Sequence, residues 1–330
     1  MSLPNPLTSL ILNLGLVAVI VAGAFLSAEA GDITGFLTYF IIVLNAMLGI
    51  SRIFVILSRG TASAERIEKV LALDEREQVE EHPAGDPAYA VEFKDVSFSY
   101  GGQKEHLTGI SFALKRGASL GIIGPTGCGK STIVNLLLRL YDADSGAVYV
   151  DGQDVRSFPS EKLRKKFGVV FQNGYLMAAS IRENIDYGRD LPEEAIKRAA
   201  RCAQAEEFIA ALPDGYDHDL AQKAGNLSGG QKQRLLIARA LASSPAVIVL
   251  DDSSSALDYA TDAALRRALQ REYAGATRIV VAQRVSSVKN CDLILVFDDG
   301  RVTGAGTHEE LMKACAEYRA IAETQMGEAV

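Results

Sequence analysis

Two long apolar runs dominate the start of the chain. Residues 2–28 contain no Asp, Glu, Lys or Arg, and residues 7–26 form a nearly unbroken hydrophobic stretch. A second stretch, residues 33–57, is interrupted only by Arg52 near its end. Twenty helical residues at roughly 1.5 Å each cross a hydrocarbon core of about 30 Å. The pattern predicts a transmembrane hairpin with a short acidic turn at residues 28–32.

The first run has a second interpretation, as a secretory signal peptide, because Ala28, Glu29 and Ala30 loosely imitate a cleavage site. No positive region precedes the run, its apolar length is too great, and a second apolar run follows it. These features favour the membrane hairpin. Two helices that carry Asn13 and Asn45 make a poor membrane domain by themselves, so we expect earlier spans outside this chain.

Polarity changes sharply after the second run. The basic residues at its end are Arg52, Arg59, Arg66 and Lys69. They place this end in the cytoplasm and the acidic turn outside. Residues 58–73 continue as an amphipathic helix, and residues 74–88 form an acidic linker containing prolines. We therefore expect a multi-pass cell-membrane protein with a transmembrane segment at 1–73 and a cytoplasmic domain at 89–330.

Composition narrows the function of that domain. Only three charged side chains lie in the first 58 positions, so nearly all of the 34 Lys and Arg and 41 Asp and Glu belong to the remainder. The net charge of −7 argues against nonspecific nucleic-acid binding. The four cysteines are widely spaced without metal-ligand motifs, which indicates reduced thiols.

From Ala90 onward short β runs alternate with helical segments, as in α/β domains. The strongest motif there is a G-x-x-x-x-G-K-S sequence between a predicted strand, 119–123, and a predicted helix, 131–141. Its glycines and the helix N-terminus favour phosphate, Lys130 is expected on the β- and γ-phosphates, and Ser131 on Mg²⁺. The ATP-binding segment comprises Gly124, Pro125, Thr126, Gly127, Cys128, Gly129, Lys130, Ser131 and Thr132.

A second buried strand, 246–250, ends at Asp251 and Asp252. Carboxylates at the carboxyl end of a parallel strand suit a Mg²⁺ ligand in this fold class, and Asp251 is the expected ligand. The alternative is that both residues only cap the strand.

Between these two segments lies the sequence Leu227, Ser228, Gly229, Gly230 and Gln231, which precedes an apolar helical run to Leu241. Ser228 is a predicted N-cap, and the glycines leave backbone N–H groups at a helix start. We call these five residues the signature segment. They predict a second anion-binding surface, although an ordinary capped helix fits the same pattern.

Together, these motifs resemble the ATP-binding cassette (ABC) transporters, whose signature is LSGGQ. The resemblance covers essentially the whole chain and implies a P-loop α/β core, a β-subdomain and a helical signature subdomain. It implies that Tyr100 stacks on adenine, that Gln172 contacts Mg²⁺ together with Ser131 and Asp251, and that Asp258 belongs to a loop at the dimer interface. A later match around Thr307 and Glu310 indicates a helix-capping box, with His308 structural.

The resemblance further implies an exporter half-transporter, of which the two apolar runs are the last two of six spans. Two such chains would sandwich ATP between the P-loop of one and the signature segment of the other. ATP and Mg²⁺ are the expected cofactors, with the lipid bilayer and a small lipophilic substrate as partners and no nucleic acid.

Two positions depart from the family pattern. Asp252 stands where the family has a catalytic Glu, and Gln283 where it has His. Asp252 is one methylene shorter, and Gln283 cannot carry a proton or a charge. The pair resembles the degenerate-site subunit of heterodimeric bacterial multidrug exporters, which predicts a second, different half-transporter as partner. A slow homodimeric exporter and a nonhydrolysing ATP-dependent clamp are the alternatives, and the apolar hairpin argues against the clamp.

Overall fold

The computed structural model describes residues 4–26, 29–72, 79–102, 105–253 and 256–327. The chain divides into two compact units, Met1–Arg76 and Glu77–Val330. The predicted linker begins among residues outside this description, and residues 79–88 carry neither helix nor strand.

The N-terminal unit consists of two helices, α1 (Pro4–Phe25) and α2 (Ala30–Leu71). A Cβ at Gly23 would lie 2.9 Å from the Ile33 side chain, and one at Gly15 would lie 3.5 Å from the Phe40 ring, so the helices pack antiparallel. The predicted turn at 28–32 is too long, because Asp32 lies in the first turn of α2, where the helix dipole favours a carboxylate.

The second helix is one continuous element of 42 residues, about 63 Å long, covering the second apolar run and its amphipathic continuation. Among the described residues, α2 is the helix long and apolar enough to cross a membrane. In α1, the part whose side chains are described in full includes the apolar segment Asn13–Phe25, which by itself is shorter than a membrane span. By length and composition, the fully described residues therefore contain one candidate span, and the other predicted span falls partly outside them.

The second unit contains two β-sheets. The strands are β1 (Tyr89–Phe98), β2 (Leu107–Lys115), β3 (Ser119–Ile123), β4 (Ser145–Val150), β5 (Gln153–Asp154), β6 (Phe167–Val170), β7 (Val247–Asp251), β8 (Thr277–Val281), β9 (Leu293–Asp298) and β10 (Arg301–Gly306). An antiparallel sheet has the order β2-β1-β4-β5, and a six-stranded sheet the order β10-β9-β3-β8-β7-β6. In the larger sheet only β10 is antiparallel to its neighbour.

Every residue of β3 and β7 is buried, as expected for parallel strands covered on both faces. Both strands pair with β8, which lies between them. Their carboxyl ends therefore meet at one edge of the sheet, where the loops after Ile123, Asp251 and Val281 converge.

Ten α-helices accompany the sheets in the described part of this unit. They are α3 (Lys130–Leu137), α4 (Ser160–Arg164), α5 (Ile181–Asp186), α6 (Glu193–Cys202), α7 (Glu206–Ala210), α8 (Gly229–Ala242), α9 (Tyr259–Glu272), α10 (Val285–Val288), α11 (His308–Ala314) and α12 (Ala316–Gly327). Helix α3 ends four residues before the predicted Tyr141, because Arg139 adopts a left-handed conformation with φ 48°. Helices α5 to α8 form a helical insertion between β6 and β7.

The C-terminal helices α11 and α12 pack against β3, β9 and α10. Thr307 and Glu310 form the predicted capping box at the start of α11. His308 Nδ1 lies 2.8 Å from the hydroxyl of Tyr318, a fully buried residue of α12. Tyr318 and Ala322 join one apolar cluster with Ile123 and Val285, which attaches α12 to the edge where the three loops converge.

Candidate nucleotide-binding site

The loop between β3 and α3 is shaped by glycine. Gly129 precedes α3 with φ 101°, and a Cβ there would lie 2.8 Å from the carbonyl oxygen of His106. Only glycine fits this left-handed position beside a neighbouring backbone. No side chain caps the helix, so the N-terminal amide groups of α3 remain available to an anion.

Lys130 is held over this loop. Its Nζ donates hydrogen bonds to the carbonyl oxygens of Gly124 at 2.9 Å and Pro125 at 2.6 Å, and lies 3.8 Å from Cys128 Sγ. The side chain is only 9% exposed. Burial raises the pKa of the Cys128 thiol, although the ammonium of Lys130 opposes this shift. The loop thus keeps a buried positive charge beside a helix N-terminus, a combination suited to phosphate.

A cleft of about 160 Å³ joins the loop to the ends of β7 and β8. The sequence-predicted residues that line it are Thr126, Gly127, Gly129, Lys130, Ser131, Thr132, Gln172, Asp251, Asp252 and Gln283. The cleft thus brings together side chains from four separate segments of the chain. Ala282, which directly precedes Gln283, also lines it, as do His106 and Val281, to which no sequence motif points.

Asp251 ends β7 and is 4% exposed. Burial raises the pKa of its carboxyl group, as does the neighbouring Asp252, whereas a hydrogen bond with Ser131 lowers it. The described residues contain no cluster of three or more His, Cys, Asp and Glu that would form a complete metal site. The hydroxyl, carboxylate and carboxamide oxygens of Ser131, Asp251 and Gln172 match the hard ligands that Mg²⁺ uses together with substrate phosphates.

The two positions that depart from the family pattern contact each other. Gln283 Nε2 donates a hydrogen bond to Asp252 Oδ2 at 3.2 Å. The Asp252 backbone has φ 48°, a left-handed conformation that Asp tolerates better than most residues, and its N–H donates to Val281 O at 2.8 Å. Burial raises the pKa of the Asp252 carboxyl group, and Lys130, Arg284 and Gln283 oppose that rise.

Gln325 of α12 supports the loop that carries Gln283, a role that the sequence did not reveal. Its Nε2 donates to the Gln283 carbonyl oxygen at 2.7 Å, and its Oε1 accepts from the Val285 N–H at 2.8 Å. One amide side chain therefore satisfies the backbone on both sides of Arg284. The spacing of Tyr318, Ala322 and Gln325 along one helix face was the available signal.

Tyr100 lies beside the same helix start. Its hydroxyl accepts a hydrogen bond from Asn135 at 2.9 Å and lies 3.4 Å from Thr132 Oγ1. The ring meets Phe98, His106 and Tyr141 edge to face, with centroids 4.7–5.0 Å apart. Tyr100 is 36% exposed and is not among the described residues that line the cleft.

The signature segment lies at the start of α8. Ser228 caps the helix as predicted: its Oγ accepts from the Gln231 N–H at 3.3 Å, and Gln231 Oε1 accepts from the Ser228 N–H at 2.8 Å. Leu227 is buried, Ser228 and Gly229 are exposed, and Gly230 is half-buried. Among the described residues that line the P-loop cleft, none belongs to the signature segment.

Asp258 caps α9, with its Oδ1 accepting from the Thr261 N–H at 2.8 Å. Ser255, at the start of the predicted interface loop, lies outside the described residues. Asp258 is not among the described residues that line the cleft.

The parallel sheet, the phosphate loop and the acidic end of β7 define a P-loop nucleotide-binding domain. The sequence profile of the family described as "ABC transporter" matches residues 107–255. The chain therefore contains a domain that matches the ABC transporter family.

The chain is also similar over nearly its whole length to several curated proteins. It is 37% identical to the uncharacterized ABC transporter ATP-binding protein YfiB of Bacillus subtilis (strain 168), covering 98% of this chain and 57% of that protein. It is 37% identical to the ATP-dependent lipid A-core flippase of Desulfotalea psychrophila, covering 91% of this chain and 53% of the flippase. It is 35% identical to the Beta-(1-->2)glucan export ATP-binding/permease protein NdvA of Rhizobium johnstonii, covering 94% and 54%.

A solved structure, "Structure of a bacterial Atm1-family ABC exporter with ATP bound", superposes with a TM-score of 0.73 at 30% identity. The match covers 95% of this chain and 56% of that chain. The fold of the second unit is therefore that of an ABC nucleotide-binding domain, and this exporter is a structural neighbour of the chain. The chain spans a little more than half the length of these relatives.

Proposed function

We propose that this chain is the ATP-binding subunit of a membrane exporter in which ATP binding and hydrolysis drive transport. The observation that carries the proposal is that one chain combines the P-loop cleft, an exposed signature segment and a long apolar helix, α2. A soluble ATP-dependent clamp needs no such helix. The named exporters and flippase among the relatives support transport as the output.

In this proposal residues 1–73 form the membrane segment, with spans at 7–26 and 33–57, residues 74–88 a linker, and residues 89–330 the cytoplasmic nucleotide-binding domain of a multi-pass cell-membrane protein. The antiparallel packing of α1 on α2 supports a hairpin. The apolar composition of both runs fits a small lipophilic cargo.

The P-loop cleft would hold Mg·ATP, with Lys130 on the phosphates and Tyr100 near the adenine. Ser131, Gln172 and Asp251 would hold the Mg²⁺, which supplies charge neutralisation at the phosphates. The oxygen donors in the cleft and the buried lysine support this assignment.

We further propose that this cleft hydrolyses ATP slowly. A carboxylate that orients the attacking water must reach it, and misplacement by about 1 Å can cost about 100-fold. Asp252 is short, and it accepts a hydrogen bond from Gln283. The two side chains are therefore hydrogen-bonded to each other, and the carboxamide of Gln283 cannot transfer a proton as a histidine could.

The signature segment would act on a nucleotide held by a second half-transporter. Ser228 is exposed and lies outside the P-loop cleft of its own chain. A different partner chain with an intact catalytic pair would then perform most of the hydrolysis. A homodimer of this chain would carry Asp252 and Gln283 at both of its sites.

The test is to measure Mg·ATP binding and phosphate release by the full chain in lipid nanodiscs. We expect saturable ATP binding with turnover far below the enzyme median of about 10 s⁻¹. Turnover near that median would contradict the slow site, and an absence of ATP binding would contradict the proposed function as a whole.

A further inference from the structure

A second cavity, of about 330 Å³, lies between α9 and the turn that follows α10, over the sheet. It shares no lining residue with the P-loop cleft among the described residues. We call it the α9–α10 groove; Leu265, Leu269, Arg278 and Cys291 are among its walls. Its volume falls at the lower end of the range of small-molecule sites, about 300–1,000 Å³.

The charge of this groove is opposite to that of the chain. Although the net charge is −7, four basic side chains line the groove: Arg266, Arg267, Arg278 and Lys289. Its described lining contains one carboxylate, Asp262, which already forms an ion pair with Arg266 at 2.8 Å. Asp292, outside this lining, also interacts with Arg278, but the basic side chains still outnumber the carboxylates and favour an anion over a cation.

Arg278 provides the most specific observation. Its Nη1 atom is buried and has no hydrogen-bond partner among the described residues. The guanidinium also interacts with the carboxylate of Asp292, but its Nη1 donor has no acceptor, and buried donors without an acceptor are rare in native structures. Because Arg278 lines the groove, a ligand oxygen there would satisfy this donor. The planar guanidinium group matches a carboxylate better than a spherical anion.

The remaining walls require a partly apolar ligand. Leu250, Leu265, Leu269 and Val280 line the groove, so a fully hydrated inorganic anion would leave their surface unused. Arg266 also donates to the Ser286 carbonyl oxygen and joins α9 to α10 across one end of the groove. An occupant would thus contact both the helix that follows Asp258 and the one that follows Gln283.

We propose that the α9–α10 groove binds a small aromatic or branched carboxylate, with its acid group at Arg278 and its apolar body against the leucines of α9. The proposal does not depend on transport or on the hydrolysis rate.

The experiment uses the full chain in nanodiscs and two probes of equal shape, 2-naphthoate and the neutral 2-naphthamide. Cys291 lines the groove and reports occupancy through its rate of alkylation by iodoacetamide, read by peptide mass spectrometry. Burial raises the pKa of this thiol to about 11, so alkylation is run slowly at about pH 8.5. Cys315 lies outside the groove and is the internal reference.

We expect 2-naphthoate to slow alkylation of Cys291 at least about fivefold and to leave alkylation of Cys315 unchanged. 2-Naphthamide should have little effect. Because the two probes differ only in charge, the difference between them isolates the charge-assisted hydrogen bond. Arg278→Gln should abolish the protection. The double variant Arg267→Gln/Lys289→Gln changes only exposed rim residues and should weaken protection about threefold or more. Arg301→Gln, at an exposed position on β10, should behave as the wild type.

Equal protection by the two probes would overturn the proposal, because the groove would then be only an apolar cavity. Protection that survives both Arg278→Gln and the rim variant would also overturn it, as would no protection at all. If Arg278→Gln fails to fold, as judged by lost ATP binding and altered Cys315 alkylation, the rim variant decides.

Discussion

Two helices of this chain begin at glycine-rich sequences, and their first turns differ. Helix α3 follows Gly129 without a side-chain cap and opens into a cleft that already holds Lys130 and Asp251. Helix α8 follows Ser228, whose side chain and that of Gln231 close a capping box on an exposed surface. The N-terminus of α3 therefore has its phosphate-binding residues within its own chain. The second helix has a stable end and two exposed or half-exposed glycines, but none of its residues is among the described ones that line the P-loop cleft, which is why we assign its nucleotide to another chain.

The largest effect should come from the first helix start. We expect Lys130→Met to weaken ATP binding at least about 100-fold, because it removes a buried charge from the phosphate site. Fluorescent-nucleotide titration of the full chain measures this loss. Lys313→Met, at an exposed position on α11, is the matched control and should leave affinity unchanged. Wild-type affinity in Lys130→Met would remove the distinction between the two helix starts.

The second helix start should show the opposite behaviour. A Cβ at Gly229 meets nothing within 4 Å in this chain, so Gly229→Asp should fold and bind ATP in its own cleft. In the assembled transporter the new carboxylate would oppose a γ-phosphate, and steady-state ATPase activity should fall about 100-fold. Gly229→Ala is the steric control and should cost far less.

Asp252→Asn should reduce the same activity only slightly, since that carboxylate belongs to the slow site. An inverted result, in which Asp252→Asn abolishes ATPase activity and Gly229→Asp spares it, would place the working site in this chain.

A smaller effect should come from restoring the catalytic pair. We expect Asp252→Glu alone to raise turnover little, because Gln283 remains and Glu tolerates the left-handed backbone at φ 48° less well. Asp252→Glu combined with Gln283→His should raise phosphate release about tenfold and exceed the sum of the single variants, since the two side chains are in contact. Additive single effects would show that the pair does not act as a unit.

The smallest effect should come from Tyr100. Tyr100→Ala should weaken ATP binding about fivefold by removing an aromatic face, whereas Tyr100→Trp should retain affinity. Tyr100→Phe separates the ring from the hydroxyl that accepts from Asn135. If the alanine and tryptophan variants have the same ATP affinity in nucleotide titrations, Tyr100 has only a structural role, through its contact with α3.

The sequence predicted those features of the fold that depend on interactions between residues close together in the chain. The buried strand before the loop, the N-cap at Ser228 and the capping box at Thr307 all depend on residues a few positions apart. The strand pattern likewise placed Asp251 at the end of β7, within a residue of the predicted position.

Contacts between distant segments were beyond this reasoning. The hydrogen bond between Asp252 and Gln283 joins residues 31 positions apart, and that between Gln283 and Gln325 joins residues 42 apart. Such contacts depend on how β7, β8 and α12 pack, which periodicity does not specify. The α9–α10 groove was missed for the same reason, because its basic residues come from a helix, a strand and a turn.

The two hydrogen bonds of Gln325 connect the unwinding of a helix to the backbone beside the nucleotide. The Val285 N–H donates to a side chain near the end of α12, so its hydrogen exchange with solvent requires that bond to break, as it does when the last turn of the helix opens. Fraying at the end of α12 and the order of the Gln283 backbone are therefore coupled. Any ligand that orders residues 283–285 should slow hydrogen exchange in that turn as well. The exchange rate of the Val285 amide therefore reports ligand binding beside Asp252 and Gln283.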